Sequence, residues 1–348
     1  MFENKERTDI SSLGEFGLIK YLTKNIEVRN SSSMKGVGDD AAVMDFAGKK
    51  TLVSTDLLVE GIHFDLTYCP LKHLGYKAIQ VNLSDIYAMN GIASQVTISI
   101  GLSSRFPLEA IEELYEGMVI ACKKYDVDII GGDTTSSRQG LIISVTSIGY
   151  ADESDLCYRN TALEGDLICV SGDLGGAYVG LQLLEREKQI YLENPQIQPD
   201  LEGKDYIVER QLKPEARKDI VLLLKDLGVK PTSMIDISDG LSSEIMHICT
   251  QSDKGCNLYE DKIPLDPMTY ATAREFNLDP TVCALSGGED YELLFTIPQS
   301  DYEKIKHNPD ITVIGHITDK NSGMNLISKS GKIHPLMAQG WNSFQKPE

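Results

Sequence analysis

Residues 34–46 read MKGVGDDAAVMDF. Gly36 to Ala41 match G-x-G-x-x-[GA], the pattern that binds a dinucleotide when it follows an apolar strand and opens a helix. Here the glycines follow the polar run NSSSMK and lead into AAVMDF, which reads as a strand. The dinucleotide reading therefore loses its context, and the fold has to be read from the flanking elements. No G-x-x-x-x-G-K-[ST] loop occurs, and the His-Arg-Asp and Asp-Phe-Gly triplets are absent. If the chain handles ATP, it does so with another architecture. What the stretch keeps is a double carboxylate, Asp39 and Asp40, whose charges repel unless a cation or a proton intervenes.

Outward from this stretch, strands and helices alternate. Residues 12–25 carry Leu13, Phe16, Ile19 and Leu22 on one helical face. KTLVSTD is a second strand, 71–90 a long helix closed by Gly91, QVTISIGL a strand, and 107–125 a helix opened by proline. VDIIGGD reads as a buried strand ending in glycines, and LIISVTSIGY as another strand. Composition turns polar and irregular over 151–165, which sets the expected domain boundary: 1–152 and 153–348. Beyond it follow the strand DLICVSG, helices over 175–187 and 214–228, the strand SMIDISDG running into the helix LSSEIMHICT, a turn and strand in SGGEDYELLFTIP, and the strand ITVIGHI. Residues 188–211, rich in Pro, Gln, Asn and Asp, read as an insertion or mobile loop. The fold class is α/β in two tandem domains.

The 348 residues suit two domains, and 41% of them are hydrophobic. No apolar run is long enough to span a membrane, and MFENKERTDI lacks an apolar signal segment. Seven cysteines without a Cys-x-x-Cys pair read as reduced thiols, so a cytoplasmic location is expected. A net charge of −19 disfavours nucleic acid and anionic lipid as partners.

Part of that charge gathers at element ends: of Asp39 and Asp40, Asp56, Asp85, Asp133, Asp236, Asp239, Glu289 and Asp290, most lie beside glycine or close an apolar run. Any one of them can be a cap or turn residue. Together they suit hard cations, since magnesium takes a few carboxylates plus phosphate oxygens. Asn82 and Asp85 share a helical face. Arg159 is either a phosphate fork or a salt-bridge partner. His63 and Trp341 each have a structural reading beside a ligand-binding one.

The stretches GVGDDAAV, STDLLVEGIHF, YKAIQVNLSDIYAMNG, IIGGDTT, YRNTALEGD, DISDGL and SGGEDYELLFT, in this order, resemble the thiamine-monophosphate kinases from about residue 12 to 345. That family is grouped with aminoimidazole ribonucleotide synthetase, selenophosphate synthetase and a hydrogenase maturation protein. The resemblance implies an N-terminal domain whose sheet pairs with its copy in a homodimer, a C-terminal α/β domain, and ATP in the cleft. It implies transfer of phosphate from ATP to thiamine monophosphate, giving thiamine diphosphate, with several Mg2+ ions. By position it implies magnesium ligands at Asp40, Ser54, Thr55, Asp56, Asp85, Asp133, Asp236 and Asp239, nucleotide contacts at Gly132, Asp133, Arg159 and Ser238, and substrate contacts at His63, Glu289 and Trp341. No general base is implied. Trp341 is the loosest match, because 320–335 carries no motif, and 188–211 is longer than the family needs. The alternatives are a synthetase like the purine enzyme, or a non-catalytic regulator that binds nucleotide or divalent cations.

Overall fold

The computed structural model describes residues 33–35, 39–40, 42–46, 48–103 and 105–337. The helix expected over 12–25, the glycines Gly36 and Gly38, and Trp341 lie outside them.

Strands β1 (Ser33–Lys35), β2 (Ala42–Phe46), β3 (Lys49–Val59), β4 (Ile92–Leu102), β5 (Asp128–Ser136) and β6 (Ile142–Ala151) form a six-stranded sheet in the order β1-β2-β3-β6-β4-β5. Only β4 and β5 run parallel. The alternation in β6 is the reason for a one-sided sheet: Ile143, Val145, Ser147 and Ala151 are buried, while Ser144, Thr146, Ile148 and Tyr150 between them are not. Helices α1 (Leu71–Ala88) and α2 (Leu108–Tyr125) cover the buried face. They cross at Gly75 and Gly117, where a Cβ on either residue would stand 1.9 Å from a backbone oxygen of the other helix, so only glycine lets the backbones meet. α1 stops at Ala88, and the Gly91 N–H closes it on the Ile86 carbonyl at 3.0 Å.

The second sheet contains β7 (Leu167–Ser171), β8 (Ser233–Asp236), β9 (Gly255–Tyr259), β10 (Leu293–Ile297), β11 (Ile311–Thr318), β12 (Met324–Ile327) and β13 (Ile333–Pro335), in the order β13-β12-β9-β11-β7-β10-β8. Around it lie α3 (Gly176–Glu193), α4 (Asp205–Leu212), α5 (Lys218–Asp226), α6 (Leu241–Ser252), α7 (Pro267–Glu275), α8 (Pro280–Ser286) and the single turn α9 (Tyr302–Ile305). The Asp-Pro pairs open α7 and α8: Asp266 accepts from the Met268 N–H at 2.7 Å and Asp279 from Thr281 at 2.8 Å. The main hydrophobic core joins the halves, since Leu212, Ala216, Ile220, Leu224 and Met234 belong to the same cluster as Leu74, Ile79 and Leu114. All seven cysteines are free and buried.

Two expectations need correction. The strand in VDIIGGD is not buried: every residue of β5 is exposed in this chain, because β5 is the sheet's edge and its apolar run meets no covering layer. Residues 188–211 are not one loop, because α3 continues to Glu193 and α4 begins at Asp205. The Pro, Gln, Asn and Asp of this stretch fall mainly in the irregular, mostly exposed connection 194–204 between the two helices. β9, α7, α8, β12 and β13 had no periodic signal in the sequence; each is too short to show one.

Candidate active site

Three carboxylates converge from both halves of the molecule. Asp40 precedes β2, Asp85 lies on the sheet-facing side of α1, and Asp236 ends β8. One oxygen from each lies within 4.8 Å of the others. Local structure explains the meeting. β8 is four buried residues that carry Asp236 to the end of the second sheet, where Ser84 of α1 donates to it at 2.5 Å. Ser54 of β3 donates from Oγ toward Asp85 at 2.5 Å and the Asp40 carbonyl at 3.0 Å. Asn82 accepts from the Asp56 N–H at 2.9 Å, so Asn82 and Asp85 do share the face turned to β3.

Packing these groups away from water raises their affinity for protons. Burial, reinforced by Asp236 and Asp39 and opposed by Arg159, pushes the Asp40 pKa up to about 8. Burial and the charge on Asp40 push Asp56 up to about 6. Asp85 and Asp236 rise for the same first reason, burial, with Asp56 adding to both. Arg159 lies against Asp40 as a fork, Nε donating at 3.0 Å and Nη2 closing the second bond, and its Nε is 3.5 Å from Asp39. This answers the double aspartate at 39–40: a guanidinium stands opposite both carboxylates. The donor set is hard oxygen throughout, and a buried group of mutually repelling carboxylates fits a hard divalent cation such as magnesium.

Ser238, Asp239 and Glu289 border this group. The Glu289 N–H donates to the Ser238 carbonyl at 2.6 Å, and the Asp239 N–H to Oε1 of the buried Glu244 at 3.0 Å. The other candidates lie elsewhere. Thr55 points to the opposite face of the sheet from Ser54 and Asp56, and donates to the Val145 carbonyl at 2.9 Å. Asp133 pairs with Ser99, and that row continues across the sheet through Ser144 to Leu57, all on that same outer face. Gly132 sits in the row of Asp56, where a Cβ would be 1.8 Å from the Ile98 oxygen. His63, in the exposed turn after β3, accepts from the Val59 N–H through Nδ1 at 3.0 Å. Asp290 is a helix cap: it accepts from the Gly175 N–H at 2.8 Å and the Ala177 N–H at 3.4 Å at the start of α3. Sequence reasoning missed Ser84, although it stands next to Asp85, and it missed Lys77 and Gln211, which hold Glu289.

Residues 38–151 match the family model AIR synthase related protein, N-terminal domain, so the first sheet with Asp40, Asp56 and Asp85 is a domain of that class. Over nearly the whole length the likeness is narrower. The chain is 34% identical to the thiamine-monophosphate kinase of Bacillus subtilis, over 96% of this chain and 100% of that one. It is also 34% identical to that of Aquifex aeolicus, over 96% and 99%. A solved structure of AaThiL complexed with AMPPCP and TMP superposes with a TM-score of 0.81 at 31% identity, covering 97% of this chain and 100% of that one. The chain belongs to the thiamine-monophosphate kinase family.

Proposed function

We propose that this chain is a kinase that moves the terminal phosphoryl group of ATP directly onto the phosphate of thiamine monophosphate, giving thiamine diphosphate and ADP. The single observation carrying this reading is the convergence of Asp40, Asp85 and Asp236 from both halves of the molecule. Two highly charged phosphates must be brought into line, and the protein has little covalent work to do.

Asp40, Asp56, Asp85 and Asp236 would hold magnesium, with Ser54 and Asp239 as further ligands; Thr55 and Asp133, on the outer face of the sheet, would take a separate ion. When bound, magnesium supplies neutralisation of charge on the transferring oxygens. Gly132, Asp133, Arg159 and Ser238 take the nucleotide. His63, Glu289 and Trp341 take the thiamine part. Arg159 is held by the same carboxylate that would bind the cation, so it orients Asp40 and favours its ionised form against the effect of burial. No general base is assigned, because the acceptor phosphate oxygen is already ionised near neutral pH.

The domain division at 152/153 and a homodimer formed through the first sheet belong to this reading. So does a cytoplasmic location; among the described residues no helix is long and apolar enough to cross a membrane. The test is one coupled assay that offers ATP and magnesium with thiamine monophosphate, aminoimidazole precursors or selenide in turn. ADP release with thiamine monophosphate alone is expected. Turnover with an aminoimidazole precursor would move the chain to the purine-type synthetases, and no turnover with any of them would leave a binding protein.

A further inference from the structure

Resting on Glu289 as a substrate-recognising group, we infer that Lys77 and Gln211 are positioning residues that make it a charge-compensated, directed hydrogen-bond acceptor. The site then reads the amino group of the aminopyrimidine ring and not the positive charge of the thiazolium.

Glu289 follows two glycines and itself has φ +58°, a left-handed conformation that a non-glycine residue adopts only when its surroundings hold it. Three groups do so. Its N–H is bonded to the Ser238 carbonyl at 2.6 Å. Its Oε2 accepts from Lys77 Nζ of α1 at 3.1 Å and from Gln211 Nε2 of α4 at 2.9 Å. Lys77 also donates to the Gln211 carbonyl at 3.1 Å, which ties the two helices to each other behind the carboxylate.

Both donors are spent on one oxygen. Among the described residues none donates to Oε1, and the Glu289 side chain is 31% exposed, whereas the Lys77 side chain is 3% exposed. The buried ammonium cannot leave its partner cheaply. Seen from a ligand, the Lys77–Glu289 pair carries no net charge, so its pull on a cation a few ångströms away is largely cancelled. What survives is short-ranged: a fixed oxygen lone pair facing out of the protein. That suits an N–H donor and rejects an analogue that has an acceptor in its place.

The experiment measures kcat and KM with thiamine monophosphate and two analogues, one with oxygen in place of the pyrimidine amino group and one with an uncharged ring in place of the thiazolium. The wild-type enzyme is expected to lose about tenfold or more in kcat/KM on the oxo analogue and less than about threefold on the uncharged one. In Lys77→Met the oxo penalty shrinks below about threefold and the uncharged-ring penalty rises to about tenfold, both through KM, with the KM for ATP unchanged. Gln211→Leu removes no charge, so only the oxo penalty shrinks; it carries the test if Lys77→Met does not fold. A wild-type enzyme that penalises the uncharged ring and tolerates the oxo group overturns the inference, as do variants that leave both ratios unchanged. Glu289→Gln with wild-type constants for every substrate would instead sink the underlying reading of Glu289.

Discussion

The two sheets of this chain are built from similar strands and end in opposite situations. In the second sheet β7, β8 and β10 are buried almost without interruption, with Phe295, Leu294 and Met234 fully enclosed. The first sheet is covered by α1 and α2 on one face only. Its other face shows Leu57 at 54%, Tyr150 at 38% and Ile130 at 56% exposure, among threonines and serines. Such a face is β-rich and, beside Asp133 and Lys49, largely apolar or hydroxylic, a combination that proteins normally cover. The buried carboxylates sit where the covered face of the first sheet meets the end of the second, so the carboxylate cluster and the bare surface lie on opposite sides of the same strands.

Substitutions that treat the two sheets alike are the sharpest way to break this contrast. Phe295→Ala should cost about 3–5 kcal/mol in a denaturant titration, because it empties a fully enclosed site. Leu57→Asp should change the unfolding free energy of the isolated chain by less than about 1 kcal/mol, yet convert the proposed dimer to a monomer in light scattering. A wild-type chain that is already monomeric would show that the bare face has no partner.

The next contrast is between two aspartates of similar sequence context. Asp236→Asn should lower turnover about a thousandfold while the melting temperature without metal holds or rises, since one member of a repelling group is neutralised. Asp133→Asn, on the open face, should lower it about a hundredfold, and more steeply in limiting magnesium. Normal turnover by Asp133→Asn would confine the chemistry to the covered face. Chelation of divalent cations should abolish turnover by the wild-type enzyme and restore it on adding magnesium. The smallest effect expected is that of Trp341→Ala: the KM for thiamine monophosphate rises about tenfold, as loss of an indole face over a cation or flat ring would cause, and the KM for ATP stays put. Equal damage to both constants would indicate a folding defect.

The sequence by itself marked Asp85 and Asp236 as candidates and identified the helix and the strand that carry them. Asp85 could be placed on a helix face with Asn82, Asp236 at a strand end and Arg159 near the boundary, because periodicity and glycine positions are local signals that need no partner. It could not determine direction across a sheet. Thr55 and Asp56 are neighbours in one strand, yet one faces β6's outer side and the other the carboxylates, because a strand alternates and only the position of α1 says which side is inside. VDIIGGD looked buried because burial was inferred from hydrophobicity, whereas an edge strand is buried only if something lies against it. The Lys77–Glu289–Gln211 contact joins residues far apart in the chain, and Asp290 became a helix cap instead of a ligand, because tertiary packing alone brought α1, α3 and α4 to the turn before β10.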